Sequence, residues 1–140
     1  MPVVSDFTHL NKTSGAGITI GDSQTSWETE FDTGGRTTGM ALLMIQVSGL
    51  TYATQGARVK VNGDLVGHIQ PFRYRLEADR LENDDHWFTQ YVVFGGSLLN
   101  DGTPNVFRVE AVGFPEAEVG VNEKDDFRIR EVGCWFHQEV

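Results

Sequence analysis

Short runs that alternate apolar and polar residues recur along this chain, and they leave little room for a helical fold. In ARVKV, Val59 and Val61 take one side while Arg58 and Lys60 take the other. Successive side chains of a strand point to opposite faces, so a period of two makes one dry face and one wet face. The same rhythm marks SWETEF at Trp27, Thr29 and Phe31, VFRVEAV through Arg108 and Glu110, and FRIR, where Phe127 and Ile129 oppose Arg128 and Arg130. In MALLMIQVSG it sets Leu43, Ile45 and Val47 against Met44, Gln46 and Ser48. HWFTQYVVF is apolar on both sides, with Trp87, Tyr91 and Val93 on one and Phe88, Val92 and Phe94 on the other. That pattern predicts a central strand, or one covered by a neighbouring subunit.

Turn chemistry separates the runs. Asn62-Gly63 supplies the positive-φ pair that tight hairpins prefer, and NDGTPN marks another turn. Sixteen glycines against four prolines fit many tight turns. Helical periodicity is scarce: RYRLEADRLEND has only Leu76 and Leu81 as aliphatic anchors and reads as a short turn or an ordered loop. The longest irregular connection, 70–85, is of a length that is often functional. About eight strands joined by short polar turns predict an all-β protein, an antiparallel sandwich or barrel. The 140 residues show no linker and are read as one domain.

A net charge of −9 argues against a nucleic-acid partner, which needs clustered Lys and Arg, and equally disfavours an anionic membrane surface. The single cysteine, Cys134, allows no intrachain disulfide and is expected to be a buried small apolar group. The N-terminal stretch MPVVSDFTHLNKTSG shows no basic-then-apolar secretion signal, and MALLMI is too short to span a bilayer, so a soluble chain of unassigned compartment is expected.

Four motifs, in order, resemble the galactose-binding-like jelly roll shared by carbohydrate-binding modules and discoidin-type domains. They are ARVKVNGDLVG, HWFTQYVVFGGSLL, NDGTPNVFRVEAVG and DDFRIREV, and the resemblance covers about residues 40–135. The resemblance implies an antiparallel jelly-roll β-sandwich with a non-catalytic, lectin-like role in carbohydrate binding. It also implies a structural calcium between early and last strands, with Glu28 or Glu30 and Asp125 or Asp126 as hard oxygen ligands.

The residues add their own candidates. In ENDDHWF, Asp84 and Asp85 are adjacent and so point apart in a strand, which suits no pair of facing catalytic acids. His86 lacks a Cys or His companion at metal spacing. Around the long loop, Phe72, Arg73, Tyr74, Arg75, Asp85 and His86 combine rings that stack on sugar CH faces with groups that pair with hydroxyls. Phe72 and Tyr74 serve equally well as anchors of the loop to the sandwich. Gly-x-Ser-x-Gly and P-loop patterns are absent, and no enzyme activity is expected. Carbohydrate is the expected partner. The alternative is a structural or assembly protein, such as a virion or particle component, for which strand-edge pairing or a contiguous apolar patch would speak.

Overall fold

In the computed structural model of the chain, residues 3–10, 17–21, 23–33, 36–50, 56–71, 87–112 and 126–139 are described. The strands are β1 (Val3–His9), β2 (Ile18–Ile20), β3 (Ser26–Phe31), β4 (Arg36–Ser48), β5 (Ala57–Val61), β6 (Asp64–Ile69), β7 (Phe88–Gly95), β8 (Asn105–Glu110) and β9 (Phe127–Glu139). A 3₁₀ turn, Gly96–Leu98, follows β7, and no α-helix occurs among the described residues. None of their helices is long and apolar enough to cross a membrane.

Every strand pairing is antiparallel. One sheet runs β1-β9-β4-β7, with β2 also paired to β9, and the other runs β3-β8-β5-β6. Eight strands thus follow the order of a jelly roll, and β2 is an addition to it. The all-β, antiparallel architecture expected from the alternation is observed, in the jelly-roll sandwich form that the resemblance implies.

The core forms where the two inner faces meet. Leu43, Ile45 and Val47 of β4 are buried against Val59 and Val61 of β5, Phe107 and Val109 of β8, and Phe127 and Ile129 of β9. Each set occupies alternate positions, so the two-residue period translates directly into burial. Ser48 departs from the pattern: it shares its side of β4 with Met44 and Gln46, yet it is fully buried.

The turn Asn62-Gly63 joins β5 to β6 with φ of 52° and 86°, the left-handed conformation its sequence predicts. Asn62 does more than turn the chain. Its Nδ2 donates to the Leu98 carbonyl at 2.7 Å and to Asn105 Oδ1 at 2.9 Å, while Val106 N donates to its Oδ1 at 2.8 Å. Asn105, fully buried, also accepts from Asn100 N at 2.7 Å, so one amide cluster locks this hairpin to the β7–β8 connection.

β7 is not central. Among the described residues it is the edge strand of its sheet, bonded only to β4. Val92 and Phe94 face the core and Phe88 packs against it, whereas Tyr91 and Val93 stand in solvent. Its two-sided apolarity therefore records a core face and an exposed apolar face. Near this edge the Gln90 amide imitates a strand residue: Gln70 N donates to Gln90 Oε1 at 2.8 Å, and Gln90 Nε2 donates to the Gln70 carbonyl at 2.7 Å. That pair ties β7 to the end of β6 in the opposite sheet.

Candidate binding face

The outer face of the five-stranded sheet is built from residues far apart in sequence. Cross-strand register aligns Phe7 of β1 with Trp135 of β9, Trp135 with Leu42 of β4, and Leu42 with Val93 of β7. One apolar row therefore crosses four strands. The next row holds His9, Gly133, Met44 and Tyr91. Tyr91 is 61% exposed, Val93 57%, Met40 56% and Trp135 46%, values a core does not tolerate and a contact surface requires. A groove of about 400 Å³ runs between Ser5, Met40, Leu42, Val93, Trp135 and His137.

Two irregularities in the β4–β9 pairing shape this face. Register jumps from Gln46↔Arg130 to Met44↔Gly133, so Ile45 opposes both Glu131 and Val132. This is a β-bulge, and Glu131 holds it with φ of 52°, a left-handed conformation uncommon for a residue other than glycine. The extra residue inverts the rhythm of β9. Before it Phe127 and Ile129 face the core; after it Val132, Cys134 and Phe136 do, and Trp135 turns outward. At the second irregularity Gly39, Met40 and Ala41 oppose Phe136 alone, and Met40 is pushed into solvent.

Gly133 completes the platform. A Cβ there would lie 2.3 Å from Phe7 Cε2, so only glycine lets the Phe7 ring rest on β9. Phe7 then packs on Trp135 at 4.6 Å between ring centroids and 43° between planes. His9 flanks it at 6.4 Å and 29°, and His9 Nε2 lies 3.2 Å from Glu131 Oε2. Ser5 Oγ and His137 Nδ1 are 2.9 Å apart along the far rim.

The other end of the same face is polar. Trp87 lies beneath two guanidinium groups, with Arg130 Cζ 3.9 Å and Arg128 Cζ 5.0 Å from its ring centroid. Arg130 Nε donates to Gln46 Oε1 at 2.9 Å. Of the neighbours Trp87 and Phe88, Phe88 packs against the core and Trp87 is the stacking partner of these arginines.

Of the residues expected to bind ligand, Phe72, Arg73, Tyr74, Arg75, Asp85 and His86 lie outside the described residues, as does Asp125. Glu28 and Glu30 are on the outer face of β3, and Arg108 Nη1 contacts Glu28 Oε2 at 3.3 Å. Asp126 precedes β9 in the other sheet, its carboxyl over Gly21. Among the described residues no group of three or more His, Cys, Asp or Glu gathers at metal-binding spacing. Cys134 is buried, and burial pushes its thiol up to about 12, so it is a packing group rather than a nucleophile.

The platform is not legible in the sequence because its rows join residues 7, 42, 93 and 135. The one sequence signal for it is the two-sided apolarity of β7, a pattern that by itself predicts a central strand or one covered by a neighbouring subunit.

No protein-family model matches the chain. No curated protein matches it either. Among solved structures the chain is similar to a family 35 carbohydrate binding module from Clostridium thermocellum, with 17% identity and a TM-score of 0.47 over 96% of this chain and 98% of that chain. The antiparallel sandwich described above is itself consistent with the galactose-binding-like fold that the motifs resemble.

Proposed function

We propose that this chain is a non-catalytic carbohydrate-binding module that meets its ligand on the outer face of the five-stranded sheet. The observation that carries the proposal is the in-register row Phe7, Trp135, Leu42 and Val93, exposed except at the half-buried Leu42, with exposed Tyr91 in the row beside it. Aromatic rings stack on the CH faces of sugars, and the flanking Gln46, Arg130, His9 and Ser5 offer hydrogen bonds to hydroxyls. The ring of Trp135 is held by Phe7, so little freedom is lost on binding. A shallow site of this kind binds each sugar weakly, and tight attachment depends on several sites acting together.

A glycan array probed with the wild-type chain and with Trp135→Ala and Tyr91→Ala tests the reading. Binding to at least one glycan class is expected, with marked loss in both variants. No binding at all, or binding indifferent to both substitutions, would overturn it.

One observation favours a second reading, an assembly protein whose partner covers the same face. Met40, Leu42, Met44 and Val93 add aliphatic surface that sugars do not need, and interface cores are enriched in aromatic residues, Met and Arg. Sedimentation equilibrium over a range of concentrations separates the two readings. Self-association abolished by Val93→Glu supports assembly, and a monomer throughout removes self-assembly.

A further inference from the structure

We infer that Glu131 is the positioning residue of the outer sheet face: it sets which way Trp135 points, and through His9 it holds Phe7 against the indole. The inference rests on the reading of that face as the binding surface, and it adds the device that pre-organises it.

Three observations converge on this residue. Glu131 adopts φ of 52° within a strand, a conformation that side-chain-bearing residues adopt at a cost. It sits in the bulge that opposes Ile45 with two residues, so its conformation absorbs the extra residue and reverses the in-and-out order of β9. Without that reversal, the order set by Phe127 and Ile129 would turn Trp135 inward and expose Cys134 and Phe136. Its carboxylate then reaches His9 on the neighbouring strand, with His9 Nε2 and Glu131 Oε2 3.2 Å apart.

The contact is relayed along β1. His9 and Phe7 share one face of the strand, their rings 6.4 Å apart and inclined by 29°. On its far side Phe7 meets Trp135 at 4.6 Å, and beneath it Gly133 offers no side chain to grip the ring. Phe7 is 37% exposed, so its position depends on neighbours to either side rather than on burial. Loss of the Glu131 carboxylate frees His9 and leaves Phe7 held only by the indole and by its packing on the Gly133 backbone. Backbone strain at a residue whose side chain orders a surface is the pattern expected of a site that trades stability for pre-organisation.

Two variants test this. Glu131→Gly accepts the left-handed backbone without strain and removes the carboxylate. Glu131→Gln keeps a side chain able to accept from His9. In Glu131→Gly we expect an unchanged melting temperature or a rise of up to about 4 °C. The NMR cross-peaks between the Phe7 ring and the Trp135 indole should fall at least twofold, with the remaining sandwich cross-peaks unchanged. Glu131→Gln should retain those cross-peaks. Full retention in Glu131→Gly, or a melting temperature lowered by more than a few degrees, would overturn the inference, because Glu131 would then be a purely structural residue. Both measurements are made on the chain alone. If the glycan array shows no binding by the wild type, the carbohydrate reading fails while the cross-peaks still decide the role of Glu131.

Discussion

The two outer faces of one sandwich differ in chemistry. On the four-stranded sheet, Glu28, Arg58, Lys60, Arg108 and Glu110 alternate with core residues and neutralise one another. Glu110 Oε1 lies 3.2 Å from Arg58 Nε and 3.0 Å from Lys60 Nζ, and Glu110 Oε2 lies 2.9 Å from Arg108 Nε. Hydrogen bonds from Arg108 and then Lys60 hold the Glu110 carboxyl well below the usual range, at about 2, and the same carboxylate raises the Arg108 guanidinium. At equivalent positions on the five-stranded sheet stand Trp135, Leu42, Val93 and Tyr91. Among the described side chains of this sheet the carboxylates are Asp6, which accepts from Gln138 Nε2 at 3.1 Å, and Glu131, engaged with His9, although the chain carries 20 Asp and Glu residues. The inner faces of both sheets are apolar, so the demand of folding is met equally by each. What distinguishes the outer faces is therefore their side-chain chemistry: one is charged and ion-paired, the other largely apolar and aromatic, and the proposed binding role rests on that difference.

The comparison breaks first if the apolar outer face turns out to be core. Phe107→Ala, in the fully buried layer beneath the charged sheet, should cost about 3–5 kcal/mol in urea unfolding. Trp135→Ala should cost less than about 1.5 kcal/mol by the same measurement, because the indole is half exposed and its removal leaves no closed cavity. Equal costs would mean that the platform holds the fold together.

Binding sharpens the contrast. Leu42→Glu places an uncompensated charge at the centre of the apolar row and should weaken glycan binding by at least about tenfold, a loss of about 1.4 kcal/mol or more in titration calorimetry. Glu110→Gln, on the opposite face, should leave that binding unchanged.

The charged face has its own signature in acid. The Glu110 carboxyl titrates lower in the folded chain than in the unfolded chain, so its contribution to stability is present above the ordinary carboxylate range. That contribution is lost as pH falls from about 4.5 towards about 2. Arg58 and Arg108 are substantially exposed, so solvent screening reduces the effect, and Glu110→Gln should cost about 1 kcal/mol at neutral pH. The difference from wild type should shrink over that acid range; a constant difference would show that the ion pairs contribute nothing. Smallest of all, Met40→Ser should change stability by less than about 0.5 kcal/mol, since its side chain stands free of the core.

Much of this architecture was legible from local rules. Alternation in β3, β4, β5 and β8 sets which side chains enter the core, Ser48 at the end of β4 excepted, because strand geometry sends alternate residues to opposite faces. The hairpin at Asn62-Gly63 follows from the few residues able to adopt its backbone, and the burial of Cys134 from its apolar surroundings. The candidate site was far less legible. Its rows bring together residues 7, 42, 93 and 135, and such proximity arises from strand order and register rather than from any motif. The edge position of β7 likewise depends on which strands pair with it. In β9 the alternating pattern points the wrong way beyond Arg130, because one residue at positive φ, Glu131, inverts it. Period-two patterning dictates faces only while the ladder is regular; where a bulge interrupts it, the pairing partner rather than the local sequence sets which side chains meet solvent.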